Sequence, residues 1–383
     1  MAATRSLLRA LRCRACCTES EPDRLTGVCP TCGQALLAEY ALEGVDGKAW
    51  WSALRDRGPS LWRYQELLPV RQEASIVTLG EGGTPLLRLS GGEDAEGLEL
   101  WAKDDGRLPT GSFKARGMAV AVSRAVELGA ARVFAPSAGN AGLALAAYAA
   151  RAHLPATVYL PMAAEARAVE GVTRYGAGIV RYGATIREAG EEARRREKGR
   201  GFDLSTLREP YRVEGKKTMA FEIAAQLGLD RVPDAIVYPT GGGTGLVGLH
   251  KGFGELRRLG LLERVPRLLA VQSEGCAPIV RALQEDAVRV TPWAETTTVA
   301  PGLAVPSPFS SERILEAVRE TGGTGVAVSD AEILAAQGTL ARLHGLAVSI
   351  EAAAPLAAIP KLRRSGAIRD GDRVVLYVTG AGA

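Results

Sequence analysis

Two groups of residues have types and spacings that could do chemistry. The first lies near the N-terminus, where five of the six cysteines fall between positions 13 and 32. Cys13 and Cys16, then Cys29 and Cys32, form two CxxC knuckles, and each knuckle can turn two thiolates toward one point. Together they offer the tetrahedral four-sulfur site of a structural zinc, with Gly33 easing the turn after the second knuckle. Four thiolates close the coordination sphere, so this metal supports folding and leaves no position for a reactant. Cys17 is the spare thiol, since Cys16 has the spacing of a ligand.

The second group joins one lysine to several glycine-rich turns. Pro109-Thr110-Gly111-Ser112-Phe113-Lys114 puts a lysine in the first turn of an expected helix. There the positive end of the helix dipole lowers the cost of a neutral, nucleophilic amine, which can form a Schiff base. The turns are Pro136-Ser137-Ala138-Gly139-Asn140-Ala141-Gly142, Pro239-Thr240-Gly241-Gly242-Gly243-Thr244-Gly245 and Thr379-Gly380-Ala381-Gly382. Residues 241–245 offer successive backbone N–H groups with no large side chains in the way, leading into a helix N-terminus, which makes a phosphate cup. The same run contains Gly243-x-Gly245-x-x-Gly248, and Glu274 follows the next strand, as in a dinucleotide site. That fingerprint alone is weak, and the cup accepts a phosphate monoester as readily as a pyrophosphate.

These residues need elements to position them. From about residue 98, short β-rich runs alternate with longer helical patterns. Strands are expected at 98–102, 132–135, 157–160, 179–182, 235–238, 268–272 and 374–378, and helices in Ala-rich segments such as 112–128, 140–152, 219–227 and 330–343. Continuous apolar strands alternating with helices predict an α/β protein with parallel sheets. Each glycine-rich turn follows a strand, which is where such sheets place their ligands.

Composition narrows the function classes. Hydrophobic residues at 46% and charged residues at 23% exclude global disorder. A net charge of +4 is too near neutral for a dedicated nucleic-acid or membrane-surface protein. Only His153, His250 and His344 occur, which argues against catalysis built on several histidines. No apolar run reaches the length of a bilayer span. Arg5, Arg9 and Arg12 read as a frayed basic lead-in to a module starting at Cys13, and 194–198 as the solvated end of a helix. Without a secretory segment, a cytoplasmic location is expected.

A phosphate cup, a Schiff-base lysine, an asparagine beside a ring hydroxyl and a terminal hydroxyl for a ring nitrogen together describe a pyridoxal phosphate site. The order Gly80-Glu81-Gly82-Gly83-Thr84-Pro85-Leu86, Pro109 to Gly117, Ser137-Ala138-Gly139-Asn140 and Gly241-Gly242-Gly243-Thr244-Gly245 resembles the threonine synthase family. That family belongs to the fold-type II, tryptophan synthase β-like pyridoxal phosphate enzymes. A branch of it carries an N-terminal zinc ribbon, and Glu209-Pro210-Tyr211-Arg212-Val213-Glu214-Gly215-Lys216-Lys217-Thr218 is similar to that branch.

The resemblance implies an α/β fold of two parallel-sheet, three-layer domains preceded by a small zinc ribbon. The ribbon would span 1–40, the large cofactor-binding domain 41–107 and 213–383, and a smaller mobile domain 108–212. Lys114 would carry the cofactor and later move protons on the substrate, and Phe113 would stack near the ring. Asn140 would bond the ring hydroxyl, residues Gly241, Gly242, Gly243, Thr244 and Gly245 the cofactor phosphate, and Thr379 the pyridine nitrogen. A hydroxyl at that nitrogen suits eliminations over transaminations. Ser137, Ala138, Gly139, Asn140 and Ala141 would receive the substrate carboxylate, and Arg212 the phosphate of O-phospho-L-homoserine.

Three positions depart from the family pattern: Leu108 stands for Asn, Ser349-Ile350-Glu351-Ala352-Ala353-Ala354 for Glu-Pro-Glu-Gly-Ala-Ala, and Ala141 for a threonine. All fall on the substrate side. The expected reaction is γ-elimination of phosphate followed by water addition at Cβ to give L-threonine. The alternative is β-elimination or β-replacement on serine, threonine or O-phosphoserine. The partners expected are a small, phosphorylated amino acid and a second copy of the chain, with no nucleic acid and no membrane.

Overall fold

In the computed structural model, which describes residues 6–92 and 96–382, the N-terminal chain forms a three-stranded antiparallel sheet. Strand β1 (Leu8–Cys13) is central, between β2 (Glu19–Ser20) and β3 (Leu36–Tyr40). Leu8, Ala10, Leu11 and Cys13 are buried, and Arg9 pairs with Glu39 at 3.1 Å. The stretch expected to be a frayed lead-in is therefore a strand from Leu8 onward, because its apolar residues have a core to enter; Arg5 lies outside the described residues.

After helix α1 (Gly47–Ala53), β4 (Leu86–Arg88) and β5 (Glu99–Asp104) begin a six-stranded sheet. The chain leaves it through α2 (Lys114–Glu127) and builds a four-stranded parallel sheet in the order β6 (Val133–Pro136), α3 (Asn140–Arg151), β7 (Ala156–Leu160), α4 (Ala166–Arg174), β8 (Gly178–Arg181), α5 (Ile186–Glu197) and β9 (Phe202–Asp203). Helix α6 (Tyr211–Leu227) returns to the first sheet, which β10 (Ala235–Pro239), α7 (Thr244–Arg258), β11 (Arg267–Ser273), α8 (Pro278–Gln284), α9 (Ser311–Glu320), β12 (Gly325–Val328), α10 (Asp330–His344), α11 (Ile350–Arg364) and β13 (Arg373–Val378) complete. Its strand order is β12-β11-β10-β13-β5-β4.

The large sheet is mixed, which corrects the expectation of two all-parallel sheets: β4 runs antiparallel to β5. The connection between them is too short to carry a helical crossover, and only such a crossover would restore a parallel direction. Successive residues of its central strands enter different cores, as the period of two requires. Ile236, Tyr238, Val375 and Tyr377 pack with α6 and α7, whereas Ala235, Val237, Val374 and Leu376 pack with α10 and α11.

Helix α6 begins at Tyr211, well before the expected 219. The Glu209 carboxylate caps it, accepting the N–H groups of Tyr211 at 2.7 Å and Arg212 at 3.0 Å. The charged run from Arg212 to Lys217, outside the expected helix, is wholly buried, and part of it is paired internally: Lys217 meets Glu214 and Glu255, each at 2.7 Å. Among the described residues no helix is long and apolar enough to cross a membrane.

Candidate active site

In the six-stranded sheet, β10 leads to β11 and β12 on one side, while β13 returns on the other beside β5. Strand order therefore reverses between β10 and β13, and the crevice beyond their carboxyl ends is a switch point. Three adjacent strands deliver the expected residues there: β10 runs into Gly241 to Gly245, β13 into Thr379, and β5 into the turn before Lys114.

That turn is held on both sides. The Phe113 N–H donates to the Thr379 carbonyl at 3.0 Å, and the Ala381 N–H to the Gly111 carbonyl at 2.9 Å. Thr110 takes φ 63°, uncommon for a threonine, and its Oγ1 and the Ser112 Oγ are buried without a partner among the described residues. Lys114 follows as the first residue of α2, half-buried, its Nζ 3.7 Å from the centroid of the Phe113 ring. Burial pushes its amine down to about 7, nearby Arg212 pushes the same way, and Glu351 opposes them. The helix position suggested a lowered amine from sequence; surroundings contributed by α6 and α11 act on it in the folded chain.

The cup is the N-terminus of α7. Gly243 takes φ 67° as its N-cap, and Gly245 lies so close to the Tyr238 hydroxyl that any side chain would overlap it. Gly245 thus lets α7 sit on β10, and Gly242 is the half-exposed member of the run. Tyr238 also meets Phe113 edge-on, with ring centroids 6.1 Å apart, which joins the cup to the lysine. On the other sheet, the turn after β6 leads into α3, whose body packs against Pro109–Gly111. The Ser137 N–H is spent on Tyr159 and the Ser137 Oγ accepts from Gly139 and Gly142. No acceptor among the described residues meets the N–H groups of Ala138, Asn140 and Ala141, and Asn140 itself is exposed.

Arg212 is no surface cation. It is 1% exposed in the first turn of α6, its Nη1 donates to the Leu204 carbonyl at 2.7 Å, and its Nε and Nη2 have no partner among the described residues. Beside it, burial pushes the Glu209 carboxyl up to about 7. Sequence reasoning passed over Lys216, one turn farther along α6; its ammonium lies 5.1 Å from the Phe113 centroid. Nothing in the sequence sets it apart from Lys217.

Cys13 ends β1, and Cys16, Cys29 and Cys32 lie in the turns and loops between the strands of the separate N-terminal sheet. Their four sulfurs fall within 4.8 Å of one another, with Cys13 to Cys32 at 3.4 Å and Cys16 to Cys29 at 3.5 Å. The edge of a tetrahedral zinc–thiolate site is about 3.8 Å, so the cluster can hold a metal ion. Cys17 is exposed and is not part of it.

An open helix N-terminus at one end and an amine lowered to about 7 at the other suit a ligand carrying both a phosphate and an aldehyde. The chain is 38% identical over 372 residues to a threonine synthase of Methanosarcina acetivorans, covering 97% of this chain and 91% of that protein. It is 36% identical to one of Methanocaldococcus jannaschii, covering 97% and 92%. Its fold is similar to that of maize serine racemase, with a TM-score of 0.68 at 22% identity over 78% of this chain and 88% of that one. Residues 77–380, which include Lys114, the turns after β6 and β10, Arg212 and Thr379, match the family described as pyridoxal-phosphate dependent enzyme, and the chain belongs to that family.

Proposed function

We propose that the chain releases phosphate from O-phospho-L-homoserine and adds water at Cβ to give L-threonine. The observation that carries this reading is the Arg212 guanidinium, buried beside Lys114 with two nitrogen atoms unpartnered among the described residues. A buried, unpaired guanidinium fits a phosphate dianion through parallel N–H donors. Relatives named threonine synthase that match over nearly their whole length support the same reaction.

In this reading Gly241, Gly242, Gly243, Thr244 and Gly245 hold the cofactor phosphate, Lys114 the aldehyde carbon, Asn140 the ring hydroxyl and Thr379 the ring nitrogen, with Phe113 beside them. When bound, pyridoxal phosphate withdraws electrons from the substrate carbons. The chain supplies the proton transfers. The free Lys114 amine, with its titration lowered to about 7, is basic enough near neutral pH to take the α proton and acidic enough to return one. The open N–H groups of Ala138, Asn140 and Ala141 receive the substrate carboxylate, with Ser137 and Gly139 shaping their loop. Arg212 holds the phosphate while the Cγ–O bond breaks. The metal of Cys13, Cys16, Cys29 and Cys32 is zinc, and it is structural.

The test compares phosphate release from O-phospho-L-homoserine and O-phospho-L-serine in the wild type and Arg212→Met. Loss of two charge-assisted hydrogen bonds should lower kcat/KM for the homoserine ester by about 100-fold, with cofactor absorbance unchanged. Preference for the serine ester, or indifference to Arg212→Met, would point to β-elimination instead.

A further inference from the structure

We propose that Lys216 is a second phosphate ligand of this crevice, forming with Arg212 a two-cation clamp for a phosphate monoester dianion on the substrate. The inference rests on the reading that the substrate carries a leaving phosphate, and it assigns a role to a residue that the motif comparison passed over.

Lys216 is 1% exposed, four residues after Arg212 and therefore on the same face of α6. Among the described residues no hydrogen-bond acceptor and no carboxylate at ion-pair distance meets its ammonium, which lies 5.1 Å from the centroid of the Phe113 ring that also faces Lys114. Its neighbour Lys217 shows the contrast. That side chain points to the other side of α6, where Glu214 and Glu255 each lie at 2.7 Å and the Tyr40 ring at 3.8 Å. One lysine is thus neutralised inside the protein and the other is not.

The root of Lys216 is clamped, since a side chain at Gly248 of α7 would come within 2.8 Å of its Cβ. Burial pushes its amine well down, Arg212 and Lys114 push the same way, and Glu209 opposes them. Glu209 acts on both Arg212 and Lys216, Asp203 on Arg212 and Glu351 on Lys114, yet among the described residues no carboxylate lies at ion-pair distance from Arg212 or Lys216. Burying these two side chains as cations is costly unless an anion joins them. The cofactor phosphate has its own seat on the α7 N-terminus, so the anion left for Lys216 and Arg212 is the phosphate of the substrate.

The test uses holoenzyme and inorganic phosphate, in the wild type, Lys216→Met and Lys216→Arg. Phosphate should inhibit the wild type competitively and raise its melting temperature. In Lys216→Met the inhibition constant should weaken by about tenfold, the loss of one charge-assisted hydrogen bond. The melting temperature without phosphate should be no lower than in the wild type, and cofactor absorbance and cofactor dissociation should be unchanged. Lys216→Arg should recover part of the phosphate affinity. Three results would each overturn the clamp: unchanged phosphate affinity in Lys216→Met, release of the cofactor by that variant (the signature of a ligand to the cofactor phosphate), or a lower melting temperature without phosphate, which marks a structural lysine. If the wild type does not turn over O-phospho-L-homoserine yet binds phosphate through Lys216, the proposed reaction fails and the clamp stands.

Discussion

The Lys114 amine offers the sharpest quantitative test of the site. With an ordinary lysine value near 10.5, about one amine in 3,000 is neutral at pH 7; lowered to about 7, about half are. The folded chain thus raises the nucleophilic fraction roughly a thousandfold. Burial is the first cause, Arg212 the second, and Glu351 opposes both. Arg212→Met should therefore move the titration upward, stopping short of the ordinary value because burial persists. Glu351→Gln should move it downward. Trace labelling of cofactor-free protein with acetic anhydride, resolved by peptide mass spectrometry, would follow Lys114 against the exposed Lys48 and Lys198 as internal references. Reactivity at Lys114 should rise through about pH 7 and level off. An inflection at the ordinary lysine value of about 10.5, or displacement of both variants in the same direction, would refute the electrostatic account.

Other consequences are open to measurement. Arg116, fully buried, bonds Asp105 at 2.7 Å and Glu222 at 2.6 Å and so ties the start of α2 to the large sheet; Arg116→Met should lower unfolding free energy by about 3–5 kcal/mol in urea titrations, and a loss under about 1 kcal/mol would show that the network is dispensable. Gly245→Ala should weaken cofactor binding by about tenfold or more through overlap with Tyr238. Tyr238→Val, which removes the hydroxyl and the ring carbons that a Cβ at 245 would overlap, should relieve part of that loss. If the double variant is no better than Gly245→Ala, the overlap is not the cause. Metal analysis should find about one zinc per chain, and chelation should speed hydrogen exchange in β1 to β3 while cofactor absorbance holds; protein grown with ample zinc yet free of metal would count against the cluster.

Local sequence carried the parts of the site that depend on backbone geometry. Two CxxC knuckles, a glycine run entering a helix and a lysine at a helix start are short-range features, and the six-stranded sheet places the glycine run and the lysine on the ends of β10 and β5, with only β13 between them. Short-range patterning also marked β10 and β13, whose unbroken apolar runs are buried on both faces. What the sequence could not reveal depends on charges brought inside by distant segments. The sequence singles out Arg212 only through the family resemblance and Lys216 not at all, and both lie before the expected start of their helix at 219; the stretch is helix because Glu209 caps it and because Glu255, on α7, neutralises Lys217. The direction of β4 likewise follows from the short connection to β5, and not from its residues. Whether a buried lysine is a structural ion-pair partner or an open ligand depends on which carboxylates reach it. Lys216 and Lys217 are the same residue type side by side, and only the packing of α6 between α2 and α7 distinguishes them.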